Sequence, residues 1–139
     1  MSHPARITLA ATQPDGVVVA EIIANDGRLV TGLEAGPGAE ATRLSDDLWQ
    51  LADRSTGAIV LDLGQIQWID SGACAVLIRL WKDLRGKGRA LTLRVTEPVR
   101  ETFRITGLAR LIPCFADLSA AIEAARATQP AVSTTYQSG

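Results

Sequence analysis

Ala58-Ile59-Val60-Leu61-Asp62-Leu63 is a run with one polar member, bracketed by Gly57 and Gly64. A strand with one wet face alternates apolar and polar residues, whereas one that is apolar at nearly every position is covered on both faces, as in parallel sheets flanked by helices. The run therefore predicts the middle strand of an α/β sheet. Beyond it, Asp70 and Ser71 both suit a helix N-cap, and Ala73, Val76, Leu77, Leu80 and Leu84 form an apolar stripe at helical spacing that ends at Gly86 and Gly88. A second helix of the chain is expected to start at or just after Ser71, and which of the two residues caps it stays open.

Toward the N-terminus, Ile7–Ala11, Val17–Ala24 and Leu29–Thr31 are strand-like and separated by the turn signals Pro14-Asp15-Gly16 and Asn25-Asp26-Gly27, which predicts an antiparallel meander. Gly32–Gly38 reads as a loop, and Ala41, Leu44, Leu48 and Leu51 recur at helical spacing, so a helix is expected over about Ala39–Arg54. Toward the C-terminus, Ala90–Val95 alternates with period two, and Thr96 suits the cap of a short helix that carries Val99 and Phe103 and stops at Gly107. Leu111-Ile112 and Cys114-Phe115, interrupted by Pro113, predict a brief edge strand, and Leu118–Arg126 a last helix. The expected fold is α/β, a mixed central sheet of about four to five strands with about four helices. One domain over residues 1–126 and a disordered tail over 127–139 complete the expectation.

With 47% hydrophobic and 21% charged residues in 139, the chain has globular composition. A net charge of −1, with no block of Lys and Arg, argues against a nucleic-acid partner. No apolar run approaches the roughly 20 residues of a membrane span, so no direct membrane insertion and a cytoplasmic location are expected. Cys74 and Cys114 lack CxxC spacing and His3 is the only histidine, which argues against metal, cofactor and redox chemistry and leaves a hydrolytic triad without its base.

Ligands and partners of such sheets gather at loops leaving the carboxyl ends of strands, where helix N-termini present free amides. Trp68-Ile69-Asp70-Ser71-Gly72 is such a loop. Read from the residues alone, Ser71 serves either as a cap or as a modifiable hydroxyl, and Asp70 either caps or meets a partner's metal-nucleotide site. Trp68 is either core or an interface anchor, while Trp49 and Trp81 sit beside apolar stripes as packing residues, with partner contact as the alternative for Trp81.

The run Ile69-Asp70-Ser71-Gly72-Ala73-Cys74-Ala75-Val76-Leu77 resembles the Asp-Ser-x-Gly signature of STAS domains, the sulphate transporter and anti-sigma factor antagonist family. Phe103-Arg104-Ile105-Thr106-Gly107-Leu108 is similar to that family's Phe-x-x-Ser/Thr-Gly-Leu segment, and the resemblance spans about Thr56–Ala125. The resemblance implies a non-enzymatic signalling adaptor, an anti-sigma factor antagonist. Such a protein binds an anti-sigma factor or serine kinase of GHKL type until that kinase phosphorylates the serine matching Ser71, and a PP2C-type phosphatase reverses the step. It implies partner contacts through Asp70, Gly72, Ala73 and Trp68, with Glu34 standing near the family's acidic position before the first helix. The alternative it leaves is a constitutive STAS subunit of a membrane transport or stressosome-type complex, without phosphorylation. Ala73 stands where the family has glycine, and Cys74 where it has leucine.

Overall fold

A computed structural model describes residues 6–24, 26–30 and 39–128. In chain order its elements are β1 (Arg6–Thr12), β2 (Val18–Ile23), β3 (Arg28–Leu29), α1 (Ala39–Asp53), β4 (Ile59–Leu63) and β5 (Trp68–Ile69). There follow α2 (Ser71–Gly86), β6 (Leu91–Val95), α3 (Glu97–Thr106), β7 (Cys114–Phe115) and α4 (Leu118–Thr128), with a single 3-10 turn at Leu108–Arg110. The main sheet has the order β1-β2-β4-β6-β7, so β4 is central as its composition requires. β1 is antiparallel to β2, and every other pair in this sheet is parallel. This is the mixed five-stranded α/β architecture with four helices that the pattern of elements implied.

All five residues of β4 are buried, and their alternation serves two cores. Ile59, Leu61 and Leu63 join Ala20, Ile22, Leu91, Leu93 and Val95 from neighbouring strands against side chains of α1, α2 and α3. Val60, with Ala58, Val17 and Val19, meets Ala121 and Ala125 of α4 on the other face. Each fully buried Leu or Ile contributes about 1.5–3 kcal/mol relative to exposure, so the doubly covered strand anchors the molecule. The two buried polar side chains of the described residues lie on these central strands and both are bonded. Thr92 Oγ1 donates to Ala121 O (2.8 Å), tying α4 to β6. Asp62 pairs across the strands with Arg94 (3.1 Å) and accepts the Gly64 amide (2.8 Å). A Cβ at Gly64 would run into the Arg94 guanidinium, so glycine is what lets that arginine lie across the turn.

Four local expectations are corrected. The meander stops after β2: β3 pairs parallel with β5 in a separate two-stranded sheet. Gly27, at φ +76°, turns the chain out of β2's path, and its carbonyl accepts the amides of both Gln67 (2.7 Å) and Trp68 (3.1 Å). These longer-range bonds outweigh a third hairpin strand. Thr96 stands at the N-cap of α3 but makes no capping bond, because its hydroxyl donates to Ile66 O at 2.7 Å. The last strand comprises only Cys114–Phe115, since Leu111 and Ile112 belong to the turn that closes the 3-10 segment; it is an edge, as expected. α4 runs on to Thr128, two residues past the expected end of the domain at Arg126, and 129–139 lie outside the described residues.

One contact was invisible to pattern reading. α1 has no basic residue in its last turn, and Arg89, between α2 and β6, supplies one from a distance. Its guanidinium donates to Ala52 O (2.9 Å), Gly57 O (2.9 Å) and Ser55 Oγ (2.8 Å), and Ser55 Oγ in turn donates to Leu51 O (2.7 Å). A cation there satisfies carbonyls at the negative end of the helix. Arg89→Ala is expected to lower stability by about 1–3 kcal/mol in urea unfolding. A loss below about 0.5 kcal/mol, the scale of an inert surface change, would show that water replaces the guanidinium.

Candidate functional site

The chain between β4 and α2 is pinned along most of its length. Gly64 N donates to Asp62 Oδ1, Ile66 N to Leu63 O (3.0 Å), and Ile66 O accepts the Thr96 hydroxyl. Gln67 and Trp68 hang from Gly27 O, and β5 then runs parallel to β3 until Asp70 N donates to Leu29 O (3.1 Å). Turns from two sides of the sheet therefore deliver Asp70 to one place.

Asp70 is the N-cap of α2, with extended backbone (φ −93°, ψ 173°), and its Oδ1 accepts the Ala73 amide at 2.8 Å. Its carbonyl takes the first intrahelical bond, from Cys74 N (3.1 Å). The open choice between Asp70 and Ser71 is thereby settled: the carboxylate caps, and Ser71 occupies the first helical position. Ser71 is exposed, and its hydroxyl makes no hydrogen bond among the described residues. It stands at the positive end of a sixteen-residue helix whose first turn holds no acidic residue.

The surroundings of Ser71 differ in part from expectation. Gly72 is half-buried beside it. Ala73, expected as a partner contact, is fully buried: the third position of the helix turns its methyl into the core formed with the central strands, so its side chain leaves the contact surface. Trp68 is 43% exposed, because β5 turns it outward while Ile69 takes the inward place. The Arg28 guanidinium lies 4.8 Å from the centroid of the Trp68 ring, a pairing set by the β3–β5 register. Arg28 carried no signal in the sequence, since only the unforeseen pairing brings it here. Glu34 lies outside the described residues. Along α2, Ser71, Ala75, Arg79 and Lys82 are all exposed, so the solvent-facing stripe begins with small side chains and becomes cationic further on. Among the described residues there is no cluster of acidic, His or Cys side chains that could hold a metal ion.

Cys74 is buried beneath this helix start, and burial, with the Asp70 charge nearby, pushes its thiol up to about 11. Burial raises Cys114 to about 11 as well, against a smaller opposing effect of Arg100. Thiolate is the reactive form, so both should resist iodoacetamide near neutral pH in the folded protein and react once it is unfolded in urea. Unfolded thiols ionise around 9.0, while the folded ones keep their protons to about 11. In that interval the unfolded state binds fewer protons, so this contribution to stability is complete below it and is lost as pH rises through it. Urea midpoints measured from neutral to strongly alkaline pH should fall across the interval, and the fall should shrink in Cys74→Ala. Rapid alkylation of the native protein would contradict the assignment.

Sequence and structure comparisons agree with this geometry. The sequence profile described as "STAS domain" matches residues 38–121. A protein of Bordetella bronchiseptica, BtrV, provisionally described as an anti-sigma factor antagonist, is 32% identical over 107 residues, covering 76% of this chain and 92% of its own. The crystal structure of an anti-sigma factor antagonist from Mycobacterium paratuberculosis superposes with a TM-score of 0.63 at 22% identity, over 87% of this chain and 95% of that one. A sulfate transporter family protein from Wolinella succinogenes shares the fold with a TM-score of 0.62 at 16% identity, over 83% of this chain and 88% of its own. With the profile running from α1 through β7 to the first turn of α4, the Ser71 helix included, the chain belongs to the STAS domain family.

Proposed function

We propose that this chain is an anti-sigma factor antagonist, a non-enzymatic adaptor whose affinity for a GHKL-type anti-sigma kinase is set by phosphorylation of Ser71 and restored by a PP2C-type phosphatase. The observation that carries the reading is the division of labour at the start of α2: Asp70 holds the cap and leaves the Ser71 hydroxyl exposed and without a partner among the described residues. A cap hydroxyl would be needed by the fold, and this one is not.

A phosphoserine adds about −1.5 to −2 charges at neutral pH, and the positive end of a helix favours them by roughly 0.3–1 kcal/mol. The fold therefore tolerates the modification. At a docked interface the outcome reverses. The dianion would be dehydrated beside the Asp70 carboxylate and against the nucleotide phosphates of a kinase, and juxtaposed like charges cost several kcal/mol. Exposed Trp68, with Arg28 stacked on it, supplies a large anchor next to the serine, and Gly72 and Ala75 leave room for a partner to approach. The 32% identity to a Bordetella protein provisionally described as an anti-sigma factor antagonist supports the same role.

The test uses the GHKL-type serine kinase of the source organism with Mg-ATP. Tandem mass spectrometry is expected to find the phosphate on Ser71. In calorimetry, Ser71→Ala should bind the kinase as the unmodified chain does, while Ser71→Asp should bind about a hundredfold more weakly. Phosphate on another residue, or equal binding of Ser71→Asp, would overturn the switch; equal function of all three forms in cells would instead select a constitutive subunit of a transport or stressosome-type complex.

A further inference from the structure

β1 is the long outer edge of the main sheet. It spans seven residues and among the described residues pairs only with β2, whereas the opposite edge, β7, has two residues directly after Pro113. Edge strands that stay single carry lysines, prolines or inward-pointing charges, and β1 has none of these beyond Arg6 at its start. Six of its seven residues are exposed, Leu9 by 56%. Ile7 and Leu9 face α1, where with Val18, Gln50, Leu51 and Arg54 they line a groove between strand and helix.

The strand is self-complementary in one register. A bulge between Leu9 and Ala11 leaves Arg6–Leu9 as its straight part. Residues directly opposite one another in an antiparallel pair share a face of the sheet. A two-fold axis through Thr8 satisfies that rule: it sets Thr8 opposite Thr8 of a second copy, and Ile7 opposite Leu9 twice, on the α1 face. Hydroxyl pairs and aliphatic pairs of this kind are favourable cross-strand contacts, and Arg6 falls opposite Ala10 rather than another cation. An axis through Leu9 fails, because it sets Ile7 opposite Ala11. The bulge has turned Ala11 to the other face, where it pairs with Val19 of the α4 core, while Ile7 pairs with Ile22 of the larger core. A net charge of −1 offers little self-repulsion.

We infer that β1 is a self-association edge: two copies of this chain pair antiparallel over Ile7–Leu9 about Thr8, joining their sheets and covering both grooves with Ile7–Leu9 contacts. So short a pairing buries less than the roughly 1,200 Å² typical of stable complexes, which makes the dimer weak, with dissociation near about 100 μM. The inference rests on β1 alone and stands whether or not Ser71 is modified.

Sedimentation velocity of the full chain from about 10 to 500 μM brackets that value. The unmodified protein is expected to shift from monomer to dimer, and Leu9→Lys, a change at an exposed site, to raise the dissociation constant by about tenfold or more. Thr8→Cys with oxidised glutathione should yield a dimer whose disulfide joins the two introduced thiols, identified by mass spectrometry. Amide hydrogen exchange on the unsubstituted chain should show protection of Ile7–Leu9 rising with concentration, which needs no variant to fold. Monomer at every concentration, a dimer unaffected by Leu9→Lys, or cross-links only through Cys74 or Cys114 would overturn the inference.

Discussion

The Asp70 carboxylate in the N-cap seat of α2 is the contact on which the functional end of this molecule depends. A helix start leaves amides that something must satisfy, and the 2.8 Å bond from Ala73 N to Asp70 Oδ1 satisfies one of them with a group already charged. Had Ser71 been the cap, its oxygen would have pointed back at the helix, and any group transferred to it would have cost the fold that bond. With the carboxylate in place, the serine sits one position later, facing water, with the helix dipole behind it.

Holding Asp70 there takes more than the helix. The residues between β4 and α2 contain one short strand, and their order comes from neighbours: Gly27 and Leu29 on one side, Thr96 on the other, and the Asp62–Arg94 pair beneath Gly64. Each is a backbone or short side-chain bond to an element anchored in the sheet. The loop is thus an extension of the two parallel strand ends, and the serine is presented by a rigid surface. Rigid presentation limits the ordering cost when a partner docks.

How much of this the sequence disclosed follows from how local each cause is. The central strand was legible because burial on both faces leaves an almost uninterrupted apolar run, Ala58–Leu63. α2 was legible from a stripe at helical spacing, and α3 from the glycine at its end, which adopts φ +86°. Asp70 and Ser71 could not be separated by composition, since both residue types cap well; only the bond to Ala73 distinguishes them. The fate of β3 was hidden for a different reason. Asp26-Gly27 is a sound turn signal, but a two-residue strand has too little local preference to choose its partner, and the amides of Gln67 and Trp68 chose for it. Trp68 and Arg28 inherit that choice, whereas the roles of Thr96 and Arg89 were hidden because their partners lie some thirty residues away in the chain. The burial of Ala73 was hidden as well, because the family motif carries no side chain at that position and only the helix geometry shows that its methyl points inward.

Charge added at Ser71 is expected to leave the fold that presents it undisturbed. Amide chemical shifts of the chain carrying a single phosphoserine at position 71, compared with the unmodified chain, test it directly. Changes are expected only at Arg28–Leu29 and Trp68–Ala75, with β2, β4 and β6 unmoved and the melting temperature within a few degrees. Shifts spreading through the central strands, or a loss of cooperative unfolding, would contradict it.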